Sequence, residues 1–311
     1  MSWRGSDSPE EMPLSVTAGA PAGAIYDRGY RHYQGAREGR SRLIKALMLA
    51  GVRRVLGLRR SWKAKVAPWG LLLIAFAPVV AFVGIRVIAG EAVDELIGYA
   101  QYLRVVSLVL LLFAASAGPE LLCPDRQSNV LALYFTRPLG RSDYLLAKAA
   151  ALLLVMGLIA VVPMAVLLAG NVLTADGAMT YLGDHLGDVP RILLAGGVLT
   201  VFYSVISLAI ASLTERRSIA VAVQLGVFLA SGIVAGTVFF TARFAGRRWV
   251  SLLALQQLPD RFVDWVFGEP FQQGSMAAEA GFTGPAYLVA MGVVCTLAFG
   301  LLAWRISRLR A

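Results

Sequence analysis

Six long apolar runs, each bounded by charged or turn-forming residues, organise this 311-residue chain. Each run is near the twenty or so residues that a helix needs to cross a bilayer. They predict spans at about 66–89, 104–122, 147–173, 190–213, 218–241 and 285–305. Pro78 and Pro163 fall inside spans and predict kinks, with neighbouring helices satisfying the freed carbonyls. Ahead of the first span, Ile44, Leu47, Met48, Gly51, Val55, Leu58 and Trp62 fall in one narrow arc at helical spacing. Lys45, Arg53, Arg60 and Lys63 lie on its flank and far side. That pattern predicts an amphipathic helix over 43–65 lying in the headgroup plane.

Before the last span, the stretch 249–284 is apolar in places but too short to cross. Pro259 suits the first position of a helix, and Phe262, Trp265 and Val266 form an apolar face against Asp260, Arg261 and Asp264. Two short amphipathic helices before the last span are predicted, dipping into the outer leaflet. Residues 1–24 are rich in Ser, Pro, Gly, Ala and Glu and lack the apolar core of a signal peptide, so a disordered tail is expected, with the first span as the anchor. Residues 25–65 then form a cytoplasmic and interfacial segment, 66–305 the six-span domain, and 306–311 a short tail.

Composition agrees: 58% of residues are hydrophobic and only 15% charged, which is a membrane composition. The net charge of +10 would suggest nucleic acid until the charges are placed on the spans. With the N-terminus inside, 22 of the Lys and Arg residues fall on the inner side and 7 on the outer, while the acids divide 9 to 10. That asymmetry predicts both termini in the cytoplasm and assigns the basic balance to the membrane surface.

The missing motifs are informative. No GxxxxGK[ST] loop is present, and none of the four lysines (Lys45, Lys63, Lys65, Lys148) follows a glycine. A P-loop nucleotide site is therefore not expected in this chain. There is no HExxH, no GxSxG and no intramembrane aspartate pair, and Cys123 and Cys295 offer neither a disulfide framework nor metal spacing. Ionisable groups are scarce in the span interiors, which disfavours an ion-driven carrier. An enzymatic role, or one as an assembly factor, would need a catalytic group that the sequence does not offer.

The informative stretch runs from Glu120 to Lys148, between the second and third spans. Leu131, Tyr134 and Phe135 fall at i, i+3 and i+4, one face of a short helix. Pro138 and Gly140 end it, and Ser142 or Asp143 can cap the next helix into the membrane. These residues alone fit a solvated loop as well as a knuckle that docks a soluble partner. The order of an acid, Arg126, an apolar helical stretch, Arg137-Pro138, Arg141, Asp143 and Lys148 resembles the loop after the second span of exporter-class (type-2) ABC transporter permeases. The stretch 25–40, with Asp27-x-Gly29-Tyr30, Tyr33-x-Gly35 and Gly39-Arg40, is similar to the opening of many bacterial members.

The resemblance implies an all-α integral membrane protein with an interface helix, a coupling helix after the second span and re-entrant helices before the sixth. It implies that Arg126, Leu131, Tyr134, Phe135, Arg137, Pro138, Arg141 and Asp143 dock a separate ATP-binding subunit. ATP and Mg would sit on that subunit, with no cofactor or metal on this chain. Glu120 matches a glutamate of many relatives and is expected to pair with a basic group at the inner face, where Arg216 and Arg217 also lie. A second permease copy or related permease is implied, in a bacterial cell membrane, with the second and fifth spans facing the dimer axis. Gln224, Phe228 and Ser231 share one face of the fifth span, and Thr200, Ser204, Ser207 and Ala211 one face of the fourth. On residues alone both stripes suit helix packing. The resemblance makes Gln224, Phe228 and Ser231 candidates for substrate contact.

Overall fold

The computed structural model describes residues 39–58, 62–89, 98–128, 140–175, 177–241, 246–271 and 274–308. Among them the secondary structure is helical throughout. Helix α1 spans Arg40–Val55, α2 Trp62–Ala89, α3 Tyr99–Gln127 and α4 Arg141–Thr174. A short α5, Ala178–His185, leads to α6, Asp188–Leu213, and α7, Arg217–Thr241. Then follow α8 (Arg247–Val250), a 3-10 turn (Ser251–Leu253), α9 (Gln257–Phe267), α10 (Met276–Ala280) and α11 (Gly284–Ser307). Six of these, α2, α3, α4, α6, α7 and α11, are long and apolar enough to cross a membrane.

The spans outlast their apolar runs. Helix α3 continues five residues past the expected end, through Cys123, Pro124, Asp125 and Arg126, and α4 starts six residues early at Arg141. Asp143 begins α4 by accepting the Gly140 N–H at 2.9 Å. Helices α2 and α4 run through Pro78 and Pro163 without interruption.

Helix α3 is the centre of the bundle. In its most apolar window 78% of residues are buried, against 22% for α2 and α7 and 17% for α11. It packs on α6, α4, α7, α9, α2 and α1. One narrow exposed stripe remains on it: Val105, Leu108 and Leu112. Polar contacts fix the packing where helices approach. Ser207 Oγ on α6 donates to the Ala114 carbonyl at 2.6 Å, filling the notch left by Gly118. A Cβ on Gly118 would overlap Ser207, so only glycine permits this approach. Ser107 shares a 2.7 Å hydrogen bond with the Tyr203 hydroxyl, and Tyr102 donates to the Ala75 carbonyl at 2.6 Å.

The predicted amphipathic helix is two pieces. Gly57, at φ 66°, ends α1, with Gly57 N–H donating to Arg54 O and Leu58 N–H to Arg53 O. This left-handed stop suits glycine. Trp62 already belongs to α2. Leu47, Gly51 and Val55 are buried, so the apolar face packs on α4 and α3. The closeness shows at Gly51, where a Cβ would stand 2.9 Å from Ala151 Cβ.

The segment before the last span also differs from its prediction in one face. Helix α9 buries Leu258, Pro259, Phe262 and Val263 against α11, α3 and α6, while Trp265 is turned outward. Its first residue is Gln257, which places Pro259 within the first turn.

Candidate functional site

At the end of the bundle that carries α1, the late turns of α3 project two carboxylates into a ring of cations. Asp125 and Glu120 are both buried. Arg54 of α1 reaches Asp125 Oδ1 at 2.6 Å and Glu120 Oε1 at 3.5 Å. Lys148 of α4 sets its Nζ 2.7 Å from Asp125 Oδ2, to which Tyr144 also donates its hydroxyl at 3.1 Å. Arg217, at the start of α7, pairs with Glu120 Oε2. One cluster thus joins α1, α3, α4 and α7.

The geometry follows from the helices. Lys148 and Tyr144 stand one turn apart on α4, so both reach the same carboxylate. Glu120 and Asp125 lie five positions and about 7.5 Å apart along α3, and the Arg54 guanidinium from α1 reaches both. Burial works to lower the Arg54 pKa, but hydrogen bonding to Asp125 and the charges of Asp125 and Glu120 outweigh it and hold the guanidinium above its ordinary value. Charges this well withdrawn persist only when paired and hydrogen-bonded.

Around this cluster lies a looser set. Arg126 donates to the Ser212 carbonyl at 2.5 Å and pairs with Glu215 at 3.4 Å, tying α3 to the α6–α7 turn. Arg40 Nη2 meets Asp143 at 2.7 Å, and its hydrogen bond to that carboxylate raises the pKa of the guanidinium. Arg141 donates to the Ser307 carbonyl at 2.9 Å, which brings the start of α4 to the end of α11. Arg216 is exposed at the turn before α7. Leu131, Tyr134, Phe135, Arg137 and Pro138 lie outside the described residues.

The expected partner for Glu120 is therefore present twice, as Arg54 and Arg217. Asp125, Lys148 and Arg54 are the site residues that sequence reasoning missed. For Asp125 and Lys148 the signal was available, an acid and a lysine at the two span ends flanking residues 129–139; for Arg54 nothing local gave it.

Gln224 and Phe228 do come together on one face of α7, and that face is turned into the bundle. Phe228 packs its ring against Phe202 and Tyr203, with centroids 6.2 and 5.7 Å apart. Gln224 is fully buried, and neither amide atom finds a hydrogen-bond partner among the described residues. Thr200 and Ser204 on α6 also bury hydroxyls without a partner among the described residues. Ser231 donates to the Phe228 carbonyl and accepts the Leu255 N–H at 3.2 Å, so it anchors the loop ahead of α9. The described residues hold no group of three or more His, Cys, Asp and Glu side chains that could bind a metal.

The cluster's ion pairs join one helix outside the six spans to three of the spans at one end of the bundle. A family model described as ABC-2 family transporter protein matches residues 22–308. The chain belongs to the ABC-2 transporter family. No curated protein matches it significantly. As an ABC-2 member with six membrane-crossing helices, it is a multi-pass permease of an ABC transporter. In this ABC-2 permease the charge cluster sits where α1 meets the two helices flanking residues 129–139.

Proposed function

We propose that this ABC-2 permease is the export subunit of an ATP-driven transporter, coupled to a separate ATP-binding subunit at the α1 end. The observation that carries the reading is the cluster itself. Arg54, Glu120, Asp125, Lys148 and Arg217 connect α1 to both helices that lead into the loop 129–139, and to α7. A displacement of that loop reaches three spans and the interface helix through ion pairs, which are directional and short in range.

The working cycle follows. ATP and Mg bind the partner, whose closure pushes the loop around Leu131 to Arg141. The ends of α3 and α4 carry the push inward, and the spans rock between inward-open and outward-open states. A second copy or a related permease closes the path, against the exposed stripe of α3 and the outward apolar face of α7, which includes Val223, Val227 and Ile233. The short helices α8 to α10 form the exit. Both termini lie in the cytoplasm of a bacterial cell. Gln224 and Phe228 are enclosed in the present arrangement and meet substrate only when α7 parts from α6, while the half-buried Ser231 does so when the Leu255 segment moves away.

The test is co-purification in mild detergent followed by an ATPase assay. A stoichiometric P-loop ATPase that is lost on R137E/R141E charge reversal supports the reading. A folded permease with no ATPase partner overturns it and leaves a non-transport role. Cysteines at 224 and 228 should label from outside only during turnover; absence of labelling removes them from the path.

A further inference from the structure

The bundle uses one face of α1 and leaves the other open. From Gly39 to Lys65 the sequence carries nine Lys or Arg residues, and after Gly39 it has no Asp or Glu before Glu91. Two of the nine are neutralised from the bundle side: Arg40 meets Asp143, and Arg54 meets Asp125 and Glu120. Lys45 and Arg53, within α1, and Lys65, early in α2, are exposed, and none of the three meets a carboxylate among the described residues.

Helical geometry gathers these cations with apolar groups. Lys45, Leu49 and Arg53 fall at i, i+4 and i+8, one stripe along α1. The buried stripe of Leu47, Gly51 and Val55 is offset by two positions, about 200° round the helix. Packing on α4 and α3 therefore turns Lys45, Leu49 and Arg53 away from the bundle. On α2, Trp62, Val66, Trp69 and Leu73 fall at i, i+4, i+7 and i+11, again one face, with Lys65 on its flank. All four are exposed, Trp62 at 72% and Trp69 at 51%. The Trp69 indole N–H donates to the Leu56 carbonyl at 3.2 Å, which sets this face beside the end of α1.

What covers the surface follows from its chemistry. Tryptophans at the end of a span mark the headgroup level. Lys and Arg beside them can lay their stems on apolar surface and hold their charges among headgroups. A cluster of cations just before a span, with no acid among them, complements acidic phospholipid. A soluble protein could meet the same charges, but the apolar face of α2 runs on through Leu73 into the first span, where the bilayer lies.

We infer that the outward face of α1 and the adjoining face of α2 bind acidic phospholipid in the leaflet at that end of the bundle. Lys45, Arg53 and Lys65 hold headgroup phosphates, and Leu49, Trp62 and Trp69 rest below them. The surface is separate from the charge cluster and does not depend on how the permease is powered.

The experiment is photo-crosslinking of the full chain, in nanodiscs, to a diazirine-bearing phosphatidylglycerol, with adducts mapped by peptide mass spectrometry. Adducts should fall on residues 40–55 and 62–73, and unlabelled phosphatidylglycerol should suppress them where phosphatidylcholine does not. Exchanging Lys45, Arg53 and Lys65 together for Gln should lower the yield there about tenfold or more, since each cation near an acidic membrane surface is worth about fivefold. All three are exposed, so the fold should persist. The control Arg191→Gln/Arg247→Gln/Arg248→Gln removes the same charge elsewhere and should leave the yield unchanged. Equal yields from wild type and the α1–α2 variant, or equal suppression by phosphatidylcholine, overturn the inference. Loss of a co-purifying ATPase in that variant, with the adducts unchanged, would overturn it and assign the face to a protein partner.

Discussion

Lys148 Nζ lies 2.7 Å from Asp125 Oδ2, and the two side chains are only 3% and 5% exposed. Neither charge has water to fall back on. Removing one partner strands the other, at a cost of about 3–5 kcal/mol for a buried pair. Lys148→Met should therefore lower the Tm of the detergent-solubilised permease, and Asp125→Asn should lower it further, because it leaves Lys148 and Arg54 facing each other. The double variant should lose clearly less than the sum of the two. Strictly additive losses would show that the pair is not coupled.

The contact between Gly118 and Ser207 predicts a steric effect. Gly118→Ala forces α3 and α6 apart and should cost about 1–3 kcal/mol, as overpacking does. Ser207→Gly in that background makes room and should recover part of the loss in thermal unfolding. If Gly118→Ala alone leaves the Tm unchanged, the helices are not in the close contact described.

A pH dependence is expected from α9. Burial, and then the neighbouring Asp264 carboxylate, push the Asp260 carboxyl up to about 6, while Arg261 and Arg104 oppose the shift. Burial raises Asp264 as well; Arg104 and Arg261 lie 3.2 Å from its two oxygens. A carboxyl whose folded pKa is raised binds more protons folded than unfolded. Its favourable share is complete below the unfolded pKa near 3.8 and is lost as pH rises to about 6. Asp260→Asn should thus be more stable than the wild type at pH 7, and the gap should shrink between pH 6 and pH 5. A gap independent of pH would assign the effect to packing.

Glu120 carries the functional prediction. Glu120→Gln keeps the side-chain shape but loses the charge that holds Arg54 and Arg217. In a reconstituted complex, ATP hydrolysis should persist while transport per ATP falls about fivefold or more, the low end for a coupling free energy. Unchanged transport per ATP would remove the cluster from the coupling route.

Much of this fold was legible because apolar runs of spanning length have few alternative uses. The helix ends were less so. Asp125 and Arg126 mark the end of an apolar run, yet α3 continues through them, because the bundle supplies their partners. Glu120 was identifiable as an acid needing a base, but nothing local names Arg54, which lies on another helix 66 positions earlier in the sequence. Gln224 and Phe228 were placed correctly on one face of α7. The direction of that face depends on α6, and periodicity within one helix carries no such information. The amphipathic stretch before the first span read as one helix because Leu58 and Trp62 continue the arc by number. Gly57 takes a left-handed conformation that ends it.

In the proposed cycle, that stop at Gly57 decides which span takes the load. Helix α1 grips α4 along its apolar face and meets α3 through Arg54, while towards α2 the Trp69 indole donates to Leu56 O. In that cycle, a force arriving on α1 is therefore delivered to the third span rather than to the first.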